Sequence, residues 1–156
     1  MTTNNNQGEV VTIRPMSQHD IDKVMAEDRS TTGDDRFITF ATPITLNHLV
    51  EQTSFGFIAE DTSQENKICG FLTGVLRKEP DGKQTAWIHL SGVHPDYRLR
   101  KIGTRLAEAF FDYCRKEGIK SVHISVNWGD ARLLTWLGQL GFGMSLGKLV
   151  EFEKSL

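Results

Sequence analysis

Three cations lie within four residues, Arg98, Arg100 and Lys101, after a strand-like run ending at Val93 and a proline turn at His94-Pro95. A long amphipathic pattern runs on from them, so the spacing puts these cations in the first turn of a helix, beside unpaired N–H groups and the positive end of the backbone dipole. A bound phosphate reverses that repulsion, because amides, dipole and cationic side chains converge on one anion. A solvated basic helix start is the bland alternative. Upstream, His89 supplies an imidazole that titrates in the range a general base needs. Alternation puts it on one strand face with Trp87 and Ser91, against Ala86, Ile88 and Leu90 on the other. A half-buried strand histidine is also commonly a satisfied core polar group.

Composition restricts the partners. A net charge of -2, from 18 basic and 20 acidic residues, excludes a general nucleic-acid or membrane-surface binder, so the basic cluster is local. The five histidines, at positions 19, 48, 89, 94 and 123, lack tight ligand spacing, and no metal is expected. Two cysteines, Cys69 in an apolar run and Cys114 on the long helix beside Arg115 and Lys116, form no disulfide framework. A reducing, cytoplasmic setting follows, with no signal peptide and no run of transmembrane length. At 156 residues one domain is expected over residues 9–156, after a disordered polar tail at 1–8.

The elements that must position these groups read from the pattern. Residues 10–13 predict a first strand, stopped at Arg14-Pro15. A helix follows from an N-cap at Ser17 to about Asp28, with Ile21, Val24 and Met25 on its apolar face. Residues 29–36 read as loop and 45–52 as a second helix, built on Leu46, Leu49 and Val50. Residues 55–60 and 68–76 make a hairpin around the polar 61–66 turn, and 86–93 adds a strand after Pro80-Asp81-Gly82.

The long helix runs from about Arg98 to Glu117, with Ile102, Leu106, Ala109, Phe110 and Tyr113 inward, an Asp112–Lys116 pair outward and Gly118 as its stop. A strand at 122–126, a helix at 130–140 ended by Gly141 and a strand at 148–152 complete the order. The fold class is therefore α/β (α+β): a mixed, mostly antiparallel twisted sheet of about six to seven strands, with about four helices and one crossover helix. Ligands of such sheets favour the carboxyl ends of parallel strands, where the turn from Val93 to Arg98 lies.

The segment from Trp87 to Leu106, followed by strand, helix and the ending Leu140-Gly141-Phe142, resembles the GNAT superfamily of acetyl-CoA-dependent N-acetyltransferases. The family signature Arg/Gln-x-x-Gly-x-Gly/Ala stands here as Arg98-Leu99-Arg100-Lys101-Ile102-Gly103, with lysine at one glycine position. A helical residue needs no positive φ, so Lys101 is expected to take the turn and reach a phosphate from the side. The resemblance implies acetyl-CoA as cosubstrate. Ser91, Gly92 and Val93 would bond the pantetheine arm, and Arg98, Leu99, Arg100, Lys101, Ile102, Gly103 and Thr104 would hold the diphosphate.

It also puts Asp130 where many members carry a pantetheine-contacting asparagine, and Leu137 where many carry the tyrosine that protonates the thiolate. Asn127 and Asp130 read either as further cofactor ligands or as N-cap residues of the following helix. The implied activity is acetyl transfer to a primary amine, on a small molecule or a protein, by direct attack in a ternary complex. His89 is then the base, at a position where serotonin N-acetyltransferase carries a histidine. Trp87 lines the acceptor pocket or simply packs, and His123 and Ser125 are candidates to assist proton transfer. A catalytically silent acyl-CoA-binding module is the alternative, drawn from Lys101 and the missing tyrosine. The resemblance further implies a homodimer.

Overall fold

The computed structural model describes residues 10–20, 22–24, 54–126, 128–145 and 154–155. The chain divides into two compact units, Met1–Ser125 and Val126–Leu156. In the first, five strands stand in sequence order in one sheet: β1 (Val11–Pro15), β2 (Ser54–Asp61), β3 (Lys67–Lys78), β4 (Gln84–Val93) and β5 (Val122–Ile124). The first four pair antiparallel and β5 joins β4 in parallel. A parallel neighbour requires a crossover, which is the helix α1 (Ile102–Lys116).

The mixed class read from the sequence holds, with five strands, two α-helices and a helical stretch at residues 22–24 among the described residues. The helix expected at 45–52, the loop at 29–36 and the last strand at 148–152 lie outside those residues. The expected strand at 122–126 is shorter, ending at Ile124.

The turns follow from their residues. Glu65 and Asn66 take positive φ at the tip of the β2–β3 hairpin, at 54° and 56°, and Gly82 turns β3 into β4 at 85°. Near the first strand the expected helix begins as a 3-10 turn, Gln18–Asp20, and residues 22–24 are helical. Its cap is reversed from expectation: the Asp20 carboxylate accepts from both the Ser17 N–H, at 2.7 Å, and the Ser17 hydroxyl, at 2.8 Å. The Arg14 guanidinium forks onto Asp20 and Glu60, with 2.7 Å contacts to each, and holds this turn to β2. Ile21 and Met25 lie outside the described residues.

One face of the sheet receives α1. Ile102, Leu106, Ala107, Phe110 and Cys114 are buried along its inner stripe, whereas Ala109 and Tyr113, expected inside, are half-buried. Gly70 and Gly74 on β3 admit the helix: a Cβ on Gly70 would lie 3.0 Å from Ile102 Cγ2, and one on Gly74 2.5 Å from Phe110 Cε2. Phe55 stacks on Phe110 with centroids 4.6 Å apart. Each such buried side chain contributes roughly 1.5–3 kcal/mol, against a few tenths for a surface ion pair. Packing therefore holds α1. The outward pair is Asp112 with Arg115, at 2.7 Å and i,i+3, rather than Asp112 with Lys116; the planar guanidinium fork suits a carboxylate better than an ammonium does. On the opposite face Val24, Ile58, Ile68, Phe71 and Leu90 cluster with Met16.

The second unit contains the helix α2 (Ala131–Gln139). Asp130 caps it, accepting from the Leu133 N–H at 3.0 Å, and Gly141 follows its end with φ 88°. Leu137 is buried.

Candidate active site

β4 carries an irregularity at the residue proposed as base. Leu90 pairs with Thr73 and Ile88 with Gly74, so His89 is an extra residue with no partner on β3. The bulge resets alternation. Ile88 and Ser91 pair with Gly74 and Leu72 on the α1 face, while Leu90 and Trp87 pair with Thr73 and Val75 on the other. The expected common face of Trp87, His89 and Ser91 is thus corrected: one inserted residue puts Trp87 and Ser91 on opposite faces, and Leu90 joins Phe71 in the core opposite α1.

The same place marks a change at β4's other edge. β5 pairs only with Ala86, Trp87 and Ile88, and β4 runs on to Val93 beyond the last of these pairs. His89 stands where the parallel ladder ends. It is half-buried, and burial, followed by the nearby Arg77 charge, holds its imidazole below the usual histidine range. The group is therefore neutral near pH 7, as a proton acceptor must be.

Trp87 is held from several sides. Its ring stacks on His123 of β5 at 4.7 Å, Arg77 lies over it at 4.4 Å, and its Nε1 donates to Thr85 Oγ1 at 3.2 Å. His123 in turn lies 3.1 Å from the Ser121 hydroxyl. Ser125 is exposed and follows the end of β5.

At the C-terminal end of β4 the chain enters a 3-10 turn, Pro95–Tyr97, capped by His94, whose Nδ1 accepts from the Asp96 N–H at 3.1 Å. Helix α1 then starts at Ile102, four residues later than the sequence pattern indicates. Arg98, Arg100 and Lys101 accordingly precede the helix instead of occupying its first turn. The reason is backbone geometry: Leu99 and Lys101 both take left-handed φ, 62° and 58°, which a helix cannot continue through. The expectation that Lys101 needs no positive φ is corrected by the same observation. Lys101 is the N-cap of α1 and its side chain makes no capping bond, so it stands in the glycine position with a glycine's conformation. Such turns before a helix point successive amides toward one anion.

Two residues escaped the sequence reading. Asp61 accepts from the buried Tyr97 hydroxyl at 2.6 Å, and so fixes the turn that carries the cations. Arg77 sits on the Trp87 ring, and its charge acts on His89. Both lie far from the signature in sequence, and nothing in local periodicity marks them. Cys114 is buried, and burial pushes its thiol up to about 11, outweighing Arg115. Asp130 has the capping role, and Asn127 lies outside the described residues. Among the described residues no three His, Cys, Asp or Glu side chains gather as a metal site, and no helix is long and apolar enough to cross a membrane.

A family model described as Acetyltransferase (GNAT) family matches residues 20–142. This chain belongs to the GNAT acetyltransferase family. Solved structures share the GNAT fold at low identity. An aminoglycoside acetyltransferase from an uncultured soil metagenomic sample, in complex with sisomicin, aligns with TM-score 0.72 and 20% identity over 94% of this chain and 97% of that one. The aminoglycoside N-acetyltransferase AAC(6')-Iy in complex with CoA gives 0.75 and 16%, over 97% and 99%. A ribosomal-protein-alanine N-acetyltransferase from Brucella melitensis biovar Abortus 2308 gives 0.72 and 15%, over 93% and 100%. Comparison with curated proteins gives no match. Where the family signature has a glycine, this chain has Lys101 at positive φ.

Proposed function

We propose that residues 9–156 act as one domain that transfers an acetyl group from acetyl-CoA to a primary amine, with His89 as the base. The observation that carries the reading is the bulge at His89, set where the β4–β5 ladder ends and upstream of a cation-bearing turn into α1. Ser91, Gly92 and Val93, past β5's last pair, are assigned to the pantetheine arm. Arg98, Leu99, Arg100, Lys101, Ile102, Gly103 and Thr104 are assigned to the diphosphate. Asn127 and Asp130 are secondary candidates, and Trp87 borders the acceptor.

Acetyl-CoA supplies an activated thioester carbonyl. The amine nitrogen forms a bond to that carbon as the C–S bond breaks, and CoA leaves as thiolate. Neutral His89 accepts the proton that nitrogen must lose. Burial keeps the imidazole unprotonated before the reaction, so it is ready to take a proton from the acceptor, whose nitrogen attacks as the free amine.

A reducing, cytoplasmic setting and a homodimer belong to the same proposal. Release of free thiol across an amine and peptide library, above background hydrolysis and reduced by His89→Ala, is the expected result; an unchanged rate removes His89 from the mechanism. A silent acyl-CoA-binding module is favoured by Lys101 at the glycine position and by the buried Leu137. It requires thermal stabilisation by CoA with no acetylated product from any acceptor.

A further inference from the structure

On the sheet face opposite α1, Arg77 near the end of β3 lies over the Trp87 ring, 4.4 Å from its centroid, while His123 stacks with the same ring at 4.7 Å. The acid nearest in sequence forms no ion pair with it. Glu79 instead accepts from the Thr85 hydroxyl at 2.9 Å, and Thr85 accepts from the Trp87 indole at 3.2 Å. Among the described residues no carboxylate forms an ion pair with Arg77. A guanidinium stacked on an aromatic face keeps its in-plane N–H fork for a second partner, and stacking limits the rotamers it must give up on binding.

Position gives this cation a consequence. Arg77 is paired in register with Thr85 and extends along the β4 face over Trp87, toward the bulge at His89, whose imidazole experiences its charge. An amine seated for proton transfer to His89 therefore feels a ring-stacked guanidinium that forms no ion pair with any carboxylate among the described residues. A polycationic acceptor meets repulsion there. An acceptor that carries a carboxylate near its nitrogen meets a bidentate partner.

We propose that Arg77, braced on Trp87, is the acceptor's anion-binding residue, and that the acceptor class is amines bearing a nearby carboxylate, as amino acids do. The proposal rests on the reading of His89 as the acceptor-side base. Arg77 here is a specificity-determining residue: it contacts substrate but takes no part in the bond changes.

The test measures calorimetric binding and acetylation in the presence of saturating CoA or acetyl-CoA, using common amino acids, their decarboxylated amines and the polycation sisomicin. Wild type is expected to bind at least one amino acid tenfold or more above its decarboxylated counterpart. Arg77→Gln should weaken that binding by roughly ten- to hundredfold, the range for a charge-assisted hydrogen bond. Binding of the decarboxylated amine should not weaken, since Arg77→Gln removes only repulsion for it, acetyl-CoA should bind as before, and Arg77→Lys should restore part of the preference. Equal affinity for carboxylated and decarboxylated amines, tighter binding of sisomicin, absence of any amino-acid binding, or a preference untouched by Arg77→Gln each overturns the proposal. Arg77-dependent binding without turnover leaves this anion site standing and removes the transferase reading. Turnover of decarboxylated amines with no Arg77 dependence does the reverse.

Discussion

The Tyr97 hydroxyl donates a 2.6 Å hydrogen bond to Asp61 Oδ2, joining the turn before α1 to the end of β2 across 36 residues of sequence. Asp61 is buried and also accepts from the Ser63 N–H and hydroxyl, at 2.9 and 2.6 Å. Tyr97→Phe removes one of three donors and leaves the ring in place. The expected loss is about 1–2 kcal/mol of stability by urea denaturation, together with weaker acetyl-CoA binding by calorimetry, because the cation-bearing turn loses its tether. Unchanged acetyl-CoA affinity at reduced stability would show that the bond serves the fold alone.

The same bond predicts a response to alkali. Hydrogen bonding to Asp61, then burial, raises Tyr97 from 10.0 to about 12. A group whose folded pKa lies above its unfolded value adds stability that is complete below the unfolded pKa. That contribution disappears as pH rises from about 10 to about 12. Tyr113→Phe leaves Tyr97 as the one tyrosine, so ultraviolet titration of this variant reads it directly. Tyrosinate should form near the upper end of that window or together with unfolding; ionisation at the ordinary tyrosine value would mean that the hydroxyl is not held.

Periodicity made the long helix, the hairpin and the mixed sheet legible, because apolar spacing at Ile102, Leu106 and Phe110 and the turn residues at 80–82 and 118 act locally. The bulge at His89 was not legible. Alternation from Ala86 to Ser91 is unbroken in the sequence, and the extra residue exists only in the register against Gly74. That glycine is tight on both sides, since a Cβ there would lie 2.6 Å from the Trp87 carbonyl oxygen as well as against Phe110. The start of α1 was misread for a related reason: Leu99 and Lys101 have side chains that favour helix, and only the assembled turn puts both at positive φ. The tether at Asp61 and the guanidinium of Arg77 are long-range contacts that no local pattern encodes.

Lys101 makes the cost of that turn measurable. A non-glycine residue in the left-handed region is disfavoured by roughly 1–2 kcal/mol, and glycine's greater unfolded freedom offsets about 0.5–1 kcal/mol of the relief. Lys101→Gly should therefore stabilise the protein by about 0.5–1 kcal/mol in chemical denaturation, and Lys101→Ala should not. Equal effects of the two substitutions would mean that backbone strain is not what distinguishes this position.

His89 gives a kinetic prediction with a definite sign. Burial first, and the Arg77 charge second, lower its pKa below the ordinary 6.5. Besides the fall that the acceptor's own ammonium contributes, kcat/KM for the acceptor at saturating acetyl-CoA should accordingly show an acid limb below pH 6.5 in wild type. Removing one cause with Arg77→Gln should move that limb upward, short of the ordinary value because burial persists. His89→Gln should lower kcat/KM by roughly 10²–10⁴ and abolish the limb. Acceptor ionisation is common to all three proteins, so the difference between their profiles isolates the imidazole. A limb that survives unchanged in His89→Gln would assign the titration to another group and release His89 from the role of base.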